Sequence, residues 1–177
     1  MTEQGAAPVR WRAGVTVALA ILVVDQLTKA WAVSALAGHA PIPVLGDFLR
    51  LRLLYNPGAA FSIGSGSTWI FAILAAAAVA GLGWLVGRVR SGSWAVAFGL
   101  MLGGAATHLL DRLFRAPGFA RGHVVDFLDY NGLFVGNVAD IALTAGAALA
   151  VLLTVRGIGT DGGRANAKER RTPSSGD

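Results

Sequence analysis

The stretch HVVDFLDYNGLFVGNVADIALTAG (123–146) changes character twice. HVVDFL (123–128) is short, β-branched and aromatic, which predicts a strand. A turn-rich segment follows. From Phe134 the chain becomes apolar without alternation and stays so to Val155, long enough to cross a bilayer. Asp126 therefore sits in an apolar strand, and Asp140 sits at the mouth of an apolar span. A carboxylate is costly in hydrocarbon, so its placement there asks for a reason.

The whole chain supports that reading of the stretch. Of 177 residues, 54% are hydrophobic and 14% charged, where a soluble domain carries about 25% charged. A span needs about 20 apolar residues for a core about 30 Å thick. Four stretches qualify: Trp11 to Leu36, Thr68 to Val86, Trp94 to Leu110 and Phe134 to Val155. None alternates in the manner of a barrel strand. The expected fold is an all-α polytopic membrane protein, with four transmembrane helices and a small extracytoplasmic β-sheet and loop region. One domain is expected over 1–156, followed by a disordered, basic cytoplasmic tail over 157–177. VRWRAGVTVALAILVV (9–24) has the basic start and short apolar core of a secretory signal, with ALAG (35–38) as a cleavage-like site. Asp25, Gln26 and Lys29 lie between them, which favours an uncleaved first helix.

Basic residues orient the spans. Arg10 precedes the first and Arg12 lies at its very start. Arg88 and Arg90 lie between the second and third, and Arg156, Arg164, Lys168, Arg170 and Arg171 follow the fourth. With four spans these share one side, which predicts cytoplasmic termini. Arg50, Arg52, Arg115 and Arg121 on the other side make the bias moderate. Gly99 and Gly103 form a GxxxG pair, and Ala142, Gly146 and Ala150 form a small-residue row suited to close helix packing. Leucine and arginine alternate in FLRLRLLYN (48–56), which predicts a half-exposed outer strand beside 123–128.

Position along a helix converts to depth at about 1.5 Å per residue. Asp25 then lies roughly 20 Å up the first span, Asp111 roughly 25 Å up the third, and Asp140 roughly 9 Å below the outer end of the fourth. The segment carrying Asp126 leads into the fourth span at the same level. Lys29 is one turn from Asp25, His108 and Arg112 flank Asp111, and Asn137 precedes Asp140 by three. Snorkelling, paired interfacial charges would explain Asp25–Lys29 and Asp111–Arg112. They explain Asp140 less well, because no basic residue lies within a turn of it.

The chain has no cysteine, which excludes disulfides, a thiolate nucleophile and a thiolate metal site. It has no H-E-x-x-H, no G-x-S-x-G and no P-loop. His39, His108 and His123 are scattered, so a metal site from His108, Asp111, Asp126 and Asp140 is disfavoured. No basic groove with interleaved aromatics suggests nucleic acid. Two aspartates converging in a low-dielectric site can share one proton. One carboxylate takes a proton from water while the other donates to a carbonyl oxygen. Asp126 and Asp140 are the natural pair for such a peptide hydrolysis. A small proton-coupled transporter would instead spread charges over the full depth, whereas the inner halves of the spans hold none. A purely structural membrane protein would use the two aspartates for stability alone.

Five blocks, DQLTKAW (25–31), YNPGAAFSIG (55–64), GGAATHLLDRL (103–113), HVVDFLDY (123–130) and FVGNVADIALTAG (134–146), together resemble lipoprotein signal peptidase, or signal peptidase II. The resemblance spans about 120 residues in order. It implies a bacterial inner-membrane aspartic peptidase that cuts prolipoproteins just before a diacylglyceryl-modified cysteine. It implies Asp126 and Asp140 as the catalytic pair, with Asp25, Lys29, Asn56, Asp111, Arg112 and Asn137 lining or supporting the site. The implied partners are a diacylglyceryl prolipoprotein and membrane lipid, with no nucleic acid, no cofactor and a monomeric enzyme. One block departs from the family pattern G-N-L-x-D-R: the expected asparagine is His108 here. Histidine can also donate or accept a hydrogen bond, so a polar role at this position is retained. The outer segments 40–66 and 113–133 are expected to cover the site, with Gly58, Gly64 and Gly66 giving the first the freedom of a clamp.

Overall fold

The computed structural model describes residues 9–58 and 68–163. The expected clamp glycines Gly64 and Gly66, and the tail from 164 with Arg164, Lys168, Arg170 and Arg171, lie outside the described residues. The helices are α1 (Trp11–Leu36), α2 (Thr68–Val86), α3 (Gly92–Phe114) and α4 (Val138–Val155). All four are long and apolar enough to cross a membrane. Their outward faces expose Leu19, Val23, Leu27, Ile73, Leu74 and Val151, the surface a bilayer would cover.

Helix α3 is the hub, packed against α1, α2 and α4. Its glycines permit this. A Cβ on Gly99 would lie 2.6 Å from the Gly14 carbonyl oxygen, and one on Gly103 would lie 2.7 Å from that of Ala18. The GxxxG pair is thus the α1–α3 contact. On the opposite side a Cβ on Gly104 would lie 2.9 Å from the Ala139 carbonyl, and one on Gly146 would lie 2.8 Å from that of Ala97. Such closeness substitutes dispersion contact for the apolar burial that drives packing in water.

Three helix boundaries differ from expectation. Helix α3 starts at Gly92, not Trp94, and runs a turn beyond Leu110, so Asp111 and Arg112 are helical. Helix α4 starts at Val138, not Phe134, because Val135–Gly136 pairs as a short strand. Asp140 therefore lies in the first turn of α4, about 3 Å inside its start rather than about 9 Å.

The strands β1 (Ile42–Leu45), β2 (Leu49–Asn56), β3 (Val124–Asp129) and β4 (Val135–Gly136) form one antiparallel sheet in that order. In the β2–β3 register Leu54 faces Asp126 and Asn56 faces Val124. The β3–β4 turn is fixed by buried Asp129, whose Oδ1 accepts from Gly132 N at 2.7 Å while Arg50 Nη2 lies 3.4 Å from Oδ2.

At the other end of the bundle, Arg10 N donates to Val89 O at 2.8 Å, joining the start of α1 to the α2–α3 turn. After α4 the chain folds back rather than leaving. Arg90 N and Ser91 N both donate to Thr160 O, and Trp94 Nε1 donates to Ile158 O at 2.7 Å. Arg10, Arg12, Arg88, Arg90 and Arg156 thus gather at the end opposite the sheet.

Candidate active site

The site is built in two layers beneath the sheet. The deeper layer is a buried ion cluster. Lys29 Nζ lies 2.7 Å from Asp25 Oδ2 and 2.8 Å from Asp111 Oδ2, all three buried. Arg115 Nε and Gln26 Nε2 donate to Asp111 Oδ1 at 2.6 and 3.0 Å. The other oxygen of Asp25 accepts from Ala139 N at 2.9 Å, and Asp111 Oδ2 accepts from Val125 N at 3.4 Å. Ala139 precedes Asp140, and Val125 precedes Asp126. The cluster therefore anchors the backbone directly before each of the two aspartates, and Lys29 ties the anchors together.

The expected Asp111–Arg112 pairing does not form. Arg112 Nη1 donates to the Asn56 and Gly122 carbonyls at 3.0 and 2.9 Å, and its guanidinium carbon lies 5.4 Å from the Phe71 ring centroid. Successive helical residues point apart, whereas Arg115 lies one turn on and faces Asp111. Arg115 and Gln26 were not singled out from the sequence. Their signal was the i,i+4 spacing from Asp111 and adjacency to Asp25.

The second layer holds the two aspartates. Asp126 on β3 is 2% exposed. Its Oδ2 accepts from Asn56 Nδ2 at 2.8 Å and its Oδ1 from Asn137 Nδ2 at 2.6 Å. The Asn56 amide is itself oriented, because its Oδ1 accepts from Gly58 N at 2.8 Å. Gly58 takes φ +90, and a Cβ there would meet Phe71 and Arg112, so the Asn-Pro-Gly turn requires glycine.

Asp140 is the third residue of α4, and Asn137 is the N-cap. Asn137 Oδ1 accepts from Asp140 N at 3.2 Å, while Asp140 Oδ2 accepts from Asn137 N at 2.9 Å, a reciprocal capping box. Asp140 Oδ1 meets His108 Nε2 at 3.1 Å. The Asp140 side chain is 41% exposed, so it is the member of the pair open to water.

Asn56, His108, Arg112, Asp126, Phe134 and Asp140 line one cavity of about 310 Å³. A second, mostly apolar groove of about 350 Å³ begins at Asn137 and Asp140 and runs down α4 past Ile141, Thr144 and Ala148. Tyr130 and Phe134, stacked with centroids 4.4 Å apart, wall its upper end. Burial pushes the Asp126 carboxyl above the ordinary carboxylate range. The Asn56 and Asn137 amides oppose that shift, and the charge of Asp140 adds to it. One carboxyl biased toward its acid form and one open to water suit paired acid–base chemistry. Among the described residues, no three His, Asp or Glu side chains group as a metal-ligand set.

Of the residues expected at the site, Asp126, Asp140, Asn56, His108, Arg112 and Asn137 converge on the cavity or its walls. Asp25, Lys29 and Asp111 lie one layer behind.

The fold and sequence match known proteins. Over 149 residues the chain is 50% identical to the lipoprotein signal peptidase of Leifsonia xyli subsp. xyli, covering 84% of this chain and 69% of that protein. It is 44% identical over 154 residues to the lipoprotein signal peptidase of Mycobacterium avium, covering 87% and 85%. A bacterial membrane enzyme solved by the in meso method at 1.9 Å superposes with a TM-score of 0.73 at 25% identity, covering 85% of this chain and 97% of that one. Residues 17–156 match the family model described as signal peptidase (SPase) II. With four membrane-length helices and that match over most of its length, the chain is a multi-pass membrane peptidase and belongs to the signal peptidase II family.

Proposed function

We propose that this chain is an aspartic endopeptidase that removes the signal peptide from diacylglyceryl-modified prolipoproteins, cutting just before the lipidated cysteine. Asp126 and Asp140 are its catalytic pair. The observation that carries this reading is their shared cavity, with Asn137 hydrogen-bonded to both.

In the proposed reaction Asp140 takes a proton from water as the water oxygen adds to the scissile carbonyl carbon. Protonated Asp126 donates to the carbonyl oxygen, giving a neutral gem-diol. One diol hydroxyl then returns its proton to Asp126. The C–N bond breaks as Asp140 passes its proton to the departing nitrogen, and both carboxyls regain their starting states. Burial of Asp126 and exposure of Asp140 support this division of roles.

The apolar groove along α4 is the natural bed for an acyl chain or a signal helix, since its lining is mostly apolar and it begins at Asp140. The basic residues gathered at the opposite end favour cytoplasmic termini, with the sheet and site at the extracytoplasmic face of the inner membrane. The enzyme acts as a monomer. The test is processing of a purified prolipoprotein in lipid nanodiscs, with and without its diacylglyceryl group. Cleavage of the lipidated form at its cysteine is expected, and equal cleavage of the unmodified form would refute the substrate assignment.

A further inference from the structure

His108 stands where the family pattern expects an asparagine, and the structure gives it a specific partner. Its Nε2 lies 3.1 Å from Asp140 Oδ1, the carboxylate oxygen that the capping box leaves free. The ring is 20% exposed and lines the same cavity as Asp126. We infer that His108 is a positioning residue that orients Asp140 through an Nε2–H donor. The inference rests on the proposed Asp126–Asp140 pair.

Asp140 has two oxygens, and an N–H donor meets each: Asn137 N on Oδ2 and His108 on Oδ1. Together they lock the rotation of the carboxylate, so that its remaining lone pairs face the cavity. An asparagine amide at 108 would supply a donor of the same kind, and an aliphatic side chain would supply none.

The test compares wild type with H108N and H108L in lipid nanodiscs, using a diacylated prolipoprotein. H108L, which lacks a donor, is expected to lose about 10- to 100-fold in kcat, the loss typical of an orienting partner, with KM little changed. H108N should recover most of that loss. Thermal unfolding in detergent should place all three within a few degrees, which excludes misfolding as the cause. An H108L enzyme as fast as wild type, or an H108N enzyme as slow as H108L, would overturn the inference. Failure of the catalytic pair is read separately, as retained cleavage by D140N.

Discussion

Asn137 Nδ2 donates to Asp126 Oδ1 over 2.6 Å, from the residue that caps the helix carrying Asp140. One side chain thus sets both the start of α4 and the orientation of the buried carboxyl. Two substitutions separate these tasks. N137A loses the cap, worth about 1 kcal/mol, and leaves Asp126 short of a donor. N137D keeps a good cap but presents a carboxylate where the amide stood. Both should lose at least tenfold in cleavage and lower the Tm, N137A through the lost cap and N137D through a second buried carboxyl against Asp126. Full activity in N137D would show that the Asn137–Asp126 bond is dispensable.

Lys29 faces a different prediction, because it touches two buried carboxylates at once. Removing the cation leaves buried Asp25 without a countercharge, and leaves Asp111 with Arg115 alone. K29M should destabilise by about 3–5 kcal/mol, read as loss of folded protein in detergent. Adding D25N and D111N should restore part of that yield, since the asparagine oxygens can still accept from Ala139 N and Val125 N. A stable K29M single variant would contradict the reading of Lys29 as the tie between the two anchors.

Close packing of α1 on α3 is tested at Gly103. A Cβ there would lie 2.7 Å from the Ala18 carbonyl oxygen and 2.8 Å from Ile21 Cβ, both on a helix that cannot yield locally. G103L should fail to fold or lose several degrees in Tm. Gly118 has nothing within 4 Å of an added Cβ, so G118A should stay within about 0.5 kcal/mol of wild type. Chemical denaturation in mixed micelles checks both.

Asp126 gives a stability signature with a definite sign. Its carboxyl is pushed up chiefly by burial, so the folded state prefers the protonated acid. That contribution is fully present below the ordinary carboxylate range and is lost as pH rises through the raised value. D126N cannot ionise. The Tm of D126N minus that of wild type should therefore move in favour of the variant as pH rises from about 4 to 7. A difference that does not change with pH would contradict the raised carboxyl.

Much of this arrangement was legible in the sequence. The spans followed from apolar length, and α1 and α2 match residue for residue because charge or turn residues bound them sharply. Alternation in 48–56 marked β2, and the lone carboxylates pointed to the cavity that Asp126 and Asp140 line. The start of α4 was missed because Phe134-Val135-Gly136 is as apolar as the helix it precedes. Only the Asn137-x-x-Asp140 pattern signals the true cap. Arg112 was assigned to Asp111 by adjacency, although helical neighbours diverge and the fourth residue on, Arg115, makes the contact. The backbone bonds from Asp25 to Ala139 and from Asp111 to Val125 join distant segments. No local pattern encodes them.

The central claim is that Asp126 and Asp140 jointly perform the hydrolysis, and single turnover of a diacylated prolipoprotein by wild type, D126N and D140N tests it most directly. Both variants should insert, fold and bind substrate, yet cut at least about a thousandfold more slowly than wild type, as expected when either half of an acid–base pair is removed. Cleavage by either variant within tenfold of the wild-type rate would contradict the account.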